Sequence, residues 1–172
     1  EDFFGIASDF KNSKRFSAIP FSANLVALKA KEFNGKLSTS LRNSVNTRVL
    51  HIATHIVPDS VHPYSSTIYL NDDSLTVSEI PNLKIKADLV ILNGCQTGKG
   101  KYIQSEGAMS VARAFCLLGA KSLVTTLWSV DDKASADLLK NFYDDMENGK
   151  ELDMALRDAK LTFIEQSNSD EL

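Results

Sequence analysis

What this sequence lacks excludes several classes of protein. It has two cysteines in 172 residues, too few for the disulfide framework of a small secreted domain, so we expect free thiols and a cytoplasmic location. No apolar run approaches the roughly 20 residues that span a bilayer, and the N-terminus has no signal-peptide pattern. The net charge of -3, from 19 basic and 22 acidic residues, gives no electrostatic case for nucleic acid or an anionic membrane as a partner.

The apolar residues that are present alternate between strand-like runs and helix-like stripes. Runs rich in β-branched residues predict strands at Phe3–Ala7, Arg48–Ala53, Thr67–Leu70, Ala87–Leu92 and Ser122–Trp128. Capping residues or helical spacing predict helices after Ser22 as N-cap, at Leu37–Ser44, on the stripe from Ala108 to Leu118, from Leu138 to Met146 and from Leu152 to Phe163. This order predicts an α/β fold with a mostly parallel central sheet flanked by helices.

Two of the predicted strands end in residues that can carry nucleophilic chemistry. One strand runs into Thr54-His55 and the other into Asn93-Gly94-Cys95. The carboxyl ends of parallel strands share one edge of a sheet, and neighbouring strands are only about 5 Å apart. A nearby imidazole can take the proton of a thiol whose pKa is otherwise near 8.5, and it can later protonate a leaving amine. The spacing is compatible with a catalytic dyad, but a structural cysteine remains an open alternative.

The remaining histidines and the second cysteine have weaker claims to a function. His51 lies inside a predicted strand and is expected to be packed, and His62 lies in a loop with no evident partner. Cys116 falls within an apolar helical stripe and is expected in the core. No His, Cys or Asp cluster has metal-ligand spacing, and Gly98-Lys99-Gly100 is too short for a phosphate-binding loop. The sequence therefore predicts no metal and no organic cofactor.

The two strand ends and several segments beyond them together resemble the CHAT domain family. These are caspase-like cysteine peptidases, often fused to TPR repeats. The resemblance is carried by the segments Val49–His55, Leu89–Gly100, Glu106-Gly107, Ala112–Phe115, Gly119–Ser122, Leu127–Asp132 and Ala155–Ala159. It implies a three-layer caspase-like sandwich that hydrolyses peptide bonds in a protein or peptide substrate. It also implies control by an attached or bound partner, such as a TPR domain.

The same resemblance assigns roles to particular residues. It implies that His55 is the general base and acid, that Cys95 is the nucleophile, and that the backbone N–H groups of Cys95 and Ile56 form the oxyanion hole. The family usually has glycine where this sequence has Ile56. A β-branched residue disfavours positive φ and could crowd a substrate. A catalytically weakened or inactive caspase-like module for signalling or scaffolding therefore stays open as the alternative.

A further segment, Trp128–Asp132, resembles the part of separase that carries an acidic residue for a basic P1 side chain. The match falls on Asp132, with Asp131 as the neighbouring candidate for the S1 pocket. A carboxylate in a partly desolvated pocket favours Arg or Lys through a charge-assisted contact. Either aspartate is equally well suited to cap the helix that follows.

The two ends of the sequence bear on domain organisation. The sequence begins at Glu1 rather than at methionine, and it ends in a polar run before the final strand that the family normally has. We expect residues 1–172 to be one CHAT domain, taken from a longer chain and lacking that last strand.

Overall fold

The computed structural model describes residues 2–8, 19–59, 61–70, 73–94, 98, 101–103 and 107–169. Of residues 101–103, 107–109 and 168–169 only the backbone is described. The chain forms two compact units, Glu1–Val130 and Asp131–Leu172. The candidate strand ends both belong to the first unit.

The first unit contains the following elements in chain order: β1 (Phe3–Ala7), α1 (Pro20–Glu32), β2 (Lys36–Ser38), β3 (Val45–Ala53), β4 (His55–Val57), β5 (Thr67–Tyr69), β6 (Ser74–Thr76), β7 (Ile85–Asn93), β8 (Lys101–Ile103), β9 (Gly107–Met109), α2 (Val111–Leu117) and β10 (Ser122–Val124). Five of these strands form a parallel sheet in the spatial order β10-β7-β3-β1-β2. The predicted α/β class with a mostly parallel central sheet is confirmed.

Side chains of the parallel sheet pack in both directions, because successive residues of a strand point to opposite faces. On one face, Phe3 stacks on Phe33 at the end of α1, with ring centroids 5.9 Å apart. On the other face, Phe4 and Ile6 join an apolar cluster that includes Phe115 of α2. The sheet of this unit is therefore covered on both sides.

Two smaller antiparallel sheets complete the first unit. Strands β4, β5 and β6 form one sheet in that order, and β8 pairs with β9 in the other. Strand β4 begins two residues after β3 ends, so the chain passes directly from the parallel sheet into the three-stranded one. This passage takes place at Thr54-His55.

The second unit consists of α3 (Asp132–Glu147) and α4 (Leu152–Ser169). Gly149, with a φ of 83°, ends α3 as its position in the sequence predicts. Lys150 connects the two helices, since its ammonium group lies 2.7 Å from Asp145 of α3 and 3.2 Å from Asp158 of α4.

Several predicted element boundaries are wrong. The segment Leu37–Ser44 is not a helix, since it begins within β2 and continues without regular structure. Helix α1 starts at Pro20 rather than after Ser22, because proline at the first helical position has its φ preset and needs no N–H partner. Helix α2 starts at Val111, where Ser110 caps it by accepting from the Arg113 N–H at 3.1 Å. Strand β10 ends at Val124, before the predicted boundary.

Candidate active site

The ends of β3 and β7 lie side by side. The two strands are parallel neighbours in a register that pairs Ala53 with Asn93. Beyond that pair, the Thr54 N–H donates to the Asn93 carbonyl at 3.2 Å. His55 and Cys95 each follow this paired position by two residues. Of the two, the structure describes His55, whereas Cys95 lies outside the described residues.

His55 is the first residue of β4, and both it and the preceding residue contact β5. The Thr54 hydroxyl donates to the Tyr69 carbonyl on β5, which fastens the turn between the two sheets. His55 itself pairs with Tyr69 in the antiparallel register. Its side chain is partly buried, so the imidazole sits at the surface of the sheet edge rather than in the core. Sequence patterns gave no reason to expect that Thr54 contributes a side-chain bond.

Ile56 lies in β4 with its side chain in the core. Only 5% of the residue is exposed, and it belongs to the apolar cluster on the α2 side of the parallel sheet. Because β4 is extended backbone, Ile56 needs no positive φ; among the described residues other than glycine, positive φ occurs at Asn34. Its bulk therefore fills the core side of the strand.

The hydrogen-bond pattern of β5 fixes the direction of the Ile56 N–H group. The Leu70 N–H donates to the Asp73 carbonyl at 2.8 Å, so even-numbered residues of this strand face β6 and odd-numbered residues face β4. Ile56 stands opposite Ile68, an even-numbered residue. The N–H of Ile56 thus points away from β5, towards the outer edge of the three-stranded sheet.

Gly94, the last described residue before Cys95, has no room for a side chain. A Cβ atom there would lie 2.6 Å from the Thr54 carbonyl oxygen and 3.2 Å from two side-chain atoms of Ile56. Backbone at this distance cannot move aside without breaking the pairing of β3 and β7. The glycine lets the two strand ends approach closely.

Three further hydrogen bonds at this edge were not predicted from the sequence. The Asn93 amide donates to the Ser22 hydroxyl of α1 at 3.0 Å, and both side chains are buried. The Thr126 hydroxyl donates to the Gly94 carbonyl, and the Gly98 N–H donates to the Thr126 carbonyl at 2.8 Å. Ser22 lies in α1 and Thr126 follows β10, so only the folded chain brings these two hydroxyl residues to the end of β7.

Asp131 and Asp132 occupy the start of α3 in the second unit. An oxygen of Asp131 accepts from the Ala134 N–H at 2.9 Å, so Asp131 is the N-cap of the helix. Asp132 is the first residue of the helix and is partly buried. The capping role that the sequence left open between the two thus falls to Asp131. The S1 role of Asp132 stays a prediction.

The other histidines and Cys116 divide between the expected and the unexpected. His51 is fully buried, with its ring 6.4 Å from that of Phe3, and burial lowers the pKa of His51 to about 3. The expectation that His51 is packed is therefore confirmed. The expectation that Cys116 belongs to the core is wrong, because its side chain lies on the exposed face of α2. His62 is exposed in a loop, where its backbone N–H donates to a carboxylate oxygen of Asp59 at 2.7 Å.

Within the described ranges, no three His, Cys, Asp or Glu side chains come together as a set that could hold a metal ion. Among the helices described above, none is both long and apolar enough to cross a membrane.

Known proteins resemble this chain over most of its length in one comparison and over about half of it in another. Residues 17–171 match the family model described as the CHAT domain. Tetratricopeptide repeat protein 28 from Homo sapiens is 31% identical over 85 residues, and the protein of the same name from Mus musculus is 29% identical over 85 residues. Each of these matches covers 49% of this chain and 3% of the relative, so the chain spans a small part of these relatives' length. Because the family match extends over nearly the entire sequence, the chain belongs to the CHAT domain family.

Proposed function

We propose that this protein is a caspase-like cysteine endopeptidase in which Cys95 is the nucleophile and His55 the general base and acid. The observation that carries the proposal is the register of β3 and β7, in which Ala53 pairs with Asn93. His55 and Cys95 each follow this pair by two positions in the sequence, and the pair itself lies at the C-terminal edge of the parallel sheet. Open α/β sheets bind their ligands at this edge. Membership of the CHAT family supports the same assignment.

The proposed reaction proceeds through an acyl-enzyme. His55 takes the proton of the Cys95 thiol, and the sulfur forms a bond to the carbonyl carbon of the scissile peptide. The tetrahedral intermediate collapses as the C–N bond breaks, and His55 gives its proton to the leaving amine. His55 then takes a proton from water as the water oxygen attacks the thioester. The carboxylic acid leaves, and the proton returns to the Cys95 sulfur.

The developing oxyanion requires hydrogen-bond donors, and we assign this role to the backbone N–H groups of Ile56 and Cys95. The orientation of the Ile56 N–H towards the outer edge of β4 supports its part in the assignment. The burial of the Ile56 side chain in the core supports it further, because a side chain directed inwards leaves the outer edge open to a substrate.

The first test measures peptide cleavage by the full-length protein that carries this chain. Cys95→Ala should abolish turnover, because the proposed reaction uses the Cys95 sulfur as its nucleophile. The matched control is Cys116→Ser, which removes the exposed thiol of α2 and should leave turnover unchanged. Turnover by Cys95→Ala at the wild-type rate would refute the assignment of the nucleophile.

The second test reads the dyad itself with a thiol-reactive peptide probe. The probe must be used in the Cys116→Ser background, because the exposed Cys116 thiol would otherwise contribute labelling of its own. His55→Ala should suppress labelling of Cys95, whereas His62→Ala, which removes an exposed loop imidazole, should not. Equal labelling of the two variants would contradict a role for His55 as the base.

The alternative is a non-catalytic caspase-like module used for signalling or scaffolding. The observation that favours it is Ile56 at a position where the family usually has glycine. The relatives are named tetratricopeptide repeat protein 28, which supports an arrangement in which this domain, residues 1–172, works beside repeat domains of a longer cytoplasmic chain. Full-length protein that neither turns over peptides nor labels at Cys95, with or without its attached or bound partners, would establish the alternative.

For substrate choice we propose that Asp132 recognises a basic P1 side chain. The support for Asp132 is the resemblance of Trp128–Asp132 to the separase segment that carries an acidic residue for a basic P1 side chain. Asp132 is the first residue of α3 and is partly buried, whereas Asp131 is the N-cap and accepts from the Ala134 N–H. Asp132→Asn should lower kcat/KM for Arg and Lys at P1 and spare uncharged residues. The control is Asp131→Asn, since asparagine caps a helix about as well as aspartate. A wild-type preference for Leu, Met or Asp at P1 would rule the role out.

A further inference from the structure

Thr126 makes hydrogen bonds to both flanks of the segment that carries Cys95. Its side-chain hydroxyl donates to the carbonyl of Gly94, the residue directly before the cysteine. Its own backbone carbonyl accepts from the N–H of Gly98, three residues after the cysteine, at 2.8 Å. Both bonds come from one residue, which lies just beyond β10.

The position of Thr126 is fixed by the sheet. Strand β10 is the parallel neighbour of β7, and Val124 pairs with Ile91 in their register. The chain beyond Val124 therefore reaches the end of β7 at the level of Gly94. The chain after β10 also lies close to Gly98. A Cβ atom on that glycine would lie 2.7 Å from the Thr125 hydroxyl oxygen and 3.3 Å from the Thr126 carbonyl oxygen.

A bond to the Gly94 carbonyl has a consequence for the next N–H group. A trans peptide is planar, so the N–H that follows a carbonyl points in the opposite direction. A donor that holds the Gly94 oxygen thus fixes the direction of the N–H that residue 95 contributes. It also polarises the peptide, which strengthens that N–H as a donor. Under the proposed function this N–H is one of the two oxyanion donors.

We propose that Thr126 is a positioning residue for the oxyanion hole, which it orients through the Gly94–Cys95 peptide. This proposal rests on the proposed peptidase function. Thr126 itself does not touch the substrate in this proposal. Its hydroxyl acts only on the peptide group whose N–H meets the developing negative charge.

The test compares Thr126→Val, which keeps the shape and loses the hydroxyl, with Thr126→Ser, which keeps the hydroxyl. Full-length protein in the Cys116→Ser background is used throughout. The matched control is Thr47→Val, because the buried Thr47 hydroxyl donates to the Val49 carbonyl of the same sheet at 3.1 Å. Thr47 precedes the end of β3 by six residues, about 20 Å along the strand.

Two kinetic measurements separate positioning from general damage. Peptide hydrolysis forms an oxyanion, whereas alkylation of Cys95 by iodoacetamide does not, since the thiolate sulfur displaces iodide from a CH₂ carbon. Loss of a whole oxyanion donor lowers kcat about 10² to 10³-fold, so misorientation of one donor should lower it about tenfold. For Thr126→Val we expect that loss in kcat with KM and the alkylation rate unchanged. Thr126→Ser and Thr47→Val should retain the wild-type kcat.

Other results would overturn the proposal in distinct ways. An unchanged kcat in Thr126→Val refutes the positioning role, as does a parallel fall in kcat and in alkylation rate, which indicates displacement of the thiol. Failure of Thr126→Ser to retain activity, or an equal loss in Thr47→Val, indicates a structural role. If the wild-type protein shows neither turnover nor Cys95 labelling, the peptidase proposal fails and the role of Thr126 falls with it.

Discussion

Acidification from pH 7 to pH 5 should weaken the fold through His51, a side chain outside the proposed site. The residue is fully buried in β3, and the loss of water around the ring lowers the pKa of His51 to about 3. In the unfolded chain the ordinary value near 6.5 is restored. Between these two values the unfolded state binds a proton that the folded state excludes, so stability falls as the pH falls.

The sign and size of the effect follow from the two pKa values. The contribution of neutral His51 is fully present above pH 6.5 and is lost progressively as the pH drops towards 3. One pH unit inside this window corresponds to about 1.4 kcal/mol, so the step from pH 7 to pH 5 should lower the free energy of unfolding by about 2 kcal/mol. Arg42 and Lys121 hold the carboxyl pKa values of Asp73 and Asp88 below their ordinary range, so in the folded state these two groups titrate below the pH 5 to 7 step.

The assay is urea unfolding followed by circular dichroism at several pH values between 5 and 7. His51→Leu has no ionisable group at this position, so its free energy of unfolding should lose most of the pH dependence, whatever its absolute value. His62→Ala, which removes an exposed histidine, should keep the wild-type slope. Parallel pH dependences for wild type and His51→Leu would refute the reasoning, because the buried ring would then not be the group that excludes the proton.

Three further mutational experiments test the end of the parallel sheet and the start of α3. Gly94→Ala should cost about 1–3 kcal/mol by thermal or urea unfolding, because its Cβ would meet the Thr54 carbonyl oxygen at 2.6 Å; an unchanged stability would show that the strand ends can move apart. Asn93→Ala and Ser22→Ala should each cost about 1–3 kcal/mol, and the double variant less than the sum, since either single change leaves a buried partner behind; additive losses would contradict the bond. Asp131→Ala should lower the free energy of unfolding by about 1 kcal/mol through loss of the N-cap, whereas Asp131→Asn should leave it unchanged. Equal stabilities of the two variants would argue against the cap.

The long strands were predictable because their apolar runs have a short-range cause. Strands β3 and β7 each end in five consecutive buried residues, so their C-terminal halves are buried on both faces. Most residues of these halves are apolar, and such runs indicate strands without any knowledge of the fold. The segment Leu37–Ser44 was mispredicted as a helix because β2 is a three-residue edge strand whose pairing with β1 is a long-range contact. Local propensity has no term for such a contact.

Single side chains also show what local sequence patterns can and cannot predict. Cys116 was placed in the core because its neighbours in the sequence are apolar, yet the rotation of α2 turns the thiol outwards. Ser22 was expected to cap α1, but Pro20 starts the helix earlier and leaves the Ser22 hydroxyl for the Asn93 amide. In each case the local pattern identified the element, and the packing of the element decided which way the side chain points.

Consecutive residues were enough to identify an α/β chain of the CHAT family, with a histidine and a cysteine that each follow a buried strand. The apolar runs of the strands and the family motifs depend on residues that are close together in the sequence, so both can be recognised from the sequence alone. The folded chain was needed to show that β3 and β7 are neighbours in a register that brings Ala53 beside Asn93. The folded chain also shows that the Ile56 side chain faces the core and that Thr126 contacts Gly94. These contacts join residues far apart in the sequence, and their geometry depends on how the whole sheet packs.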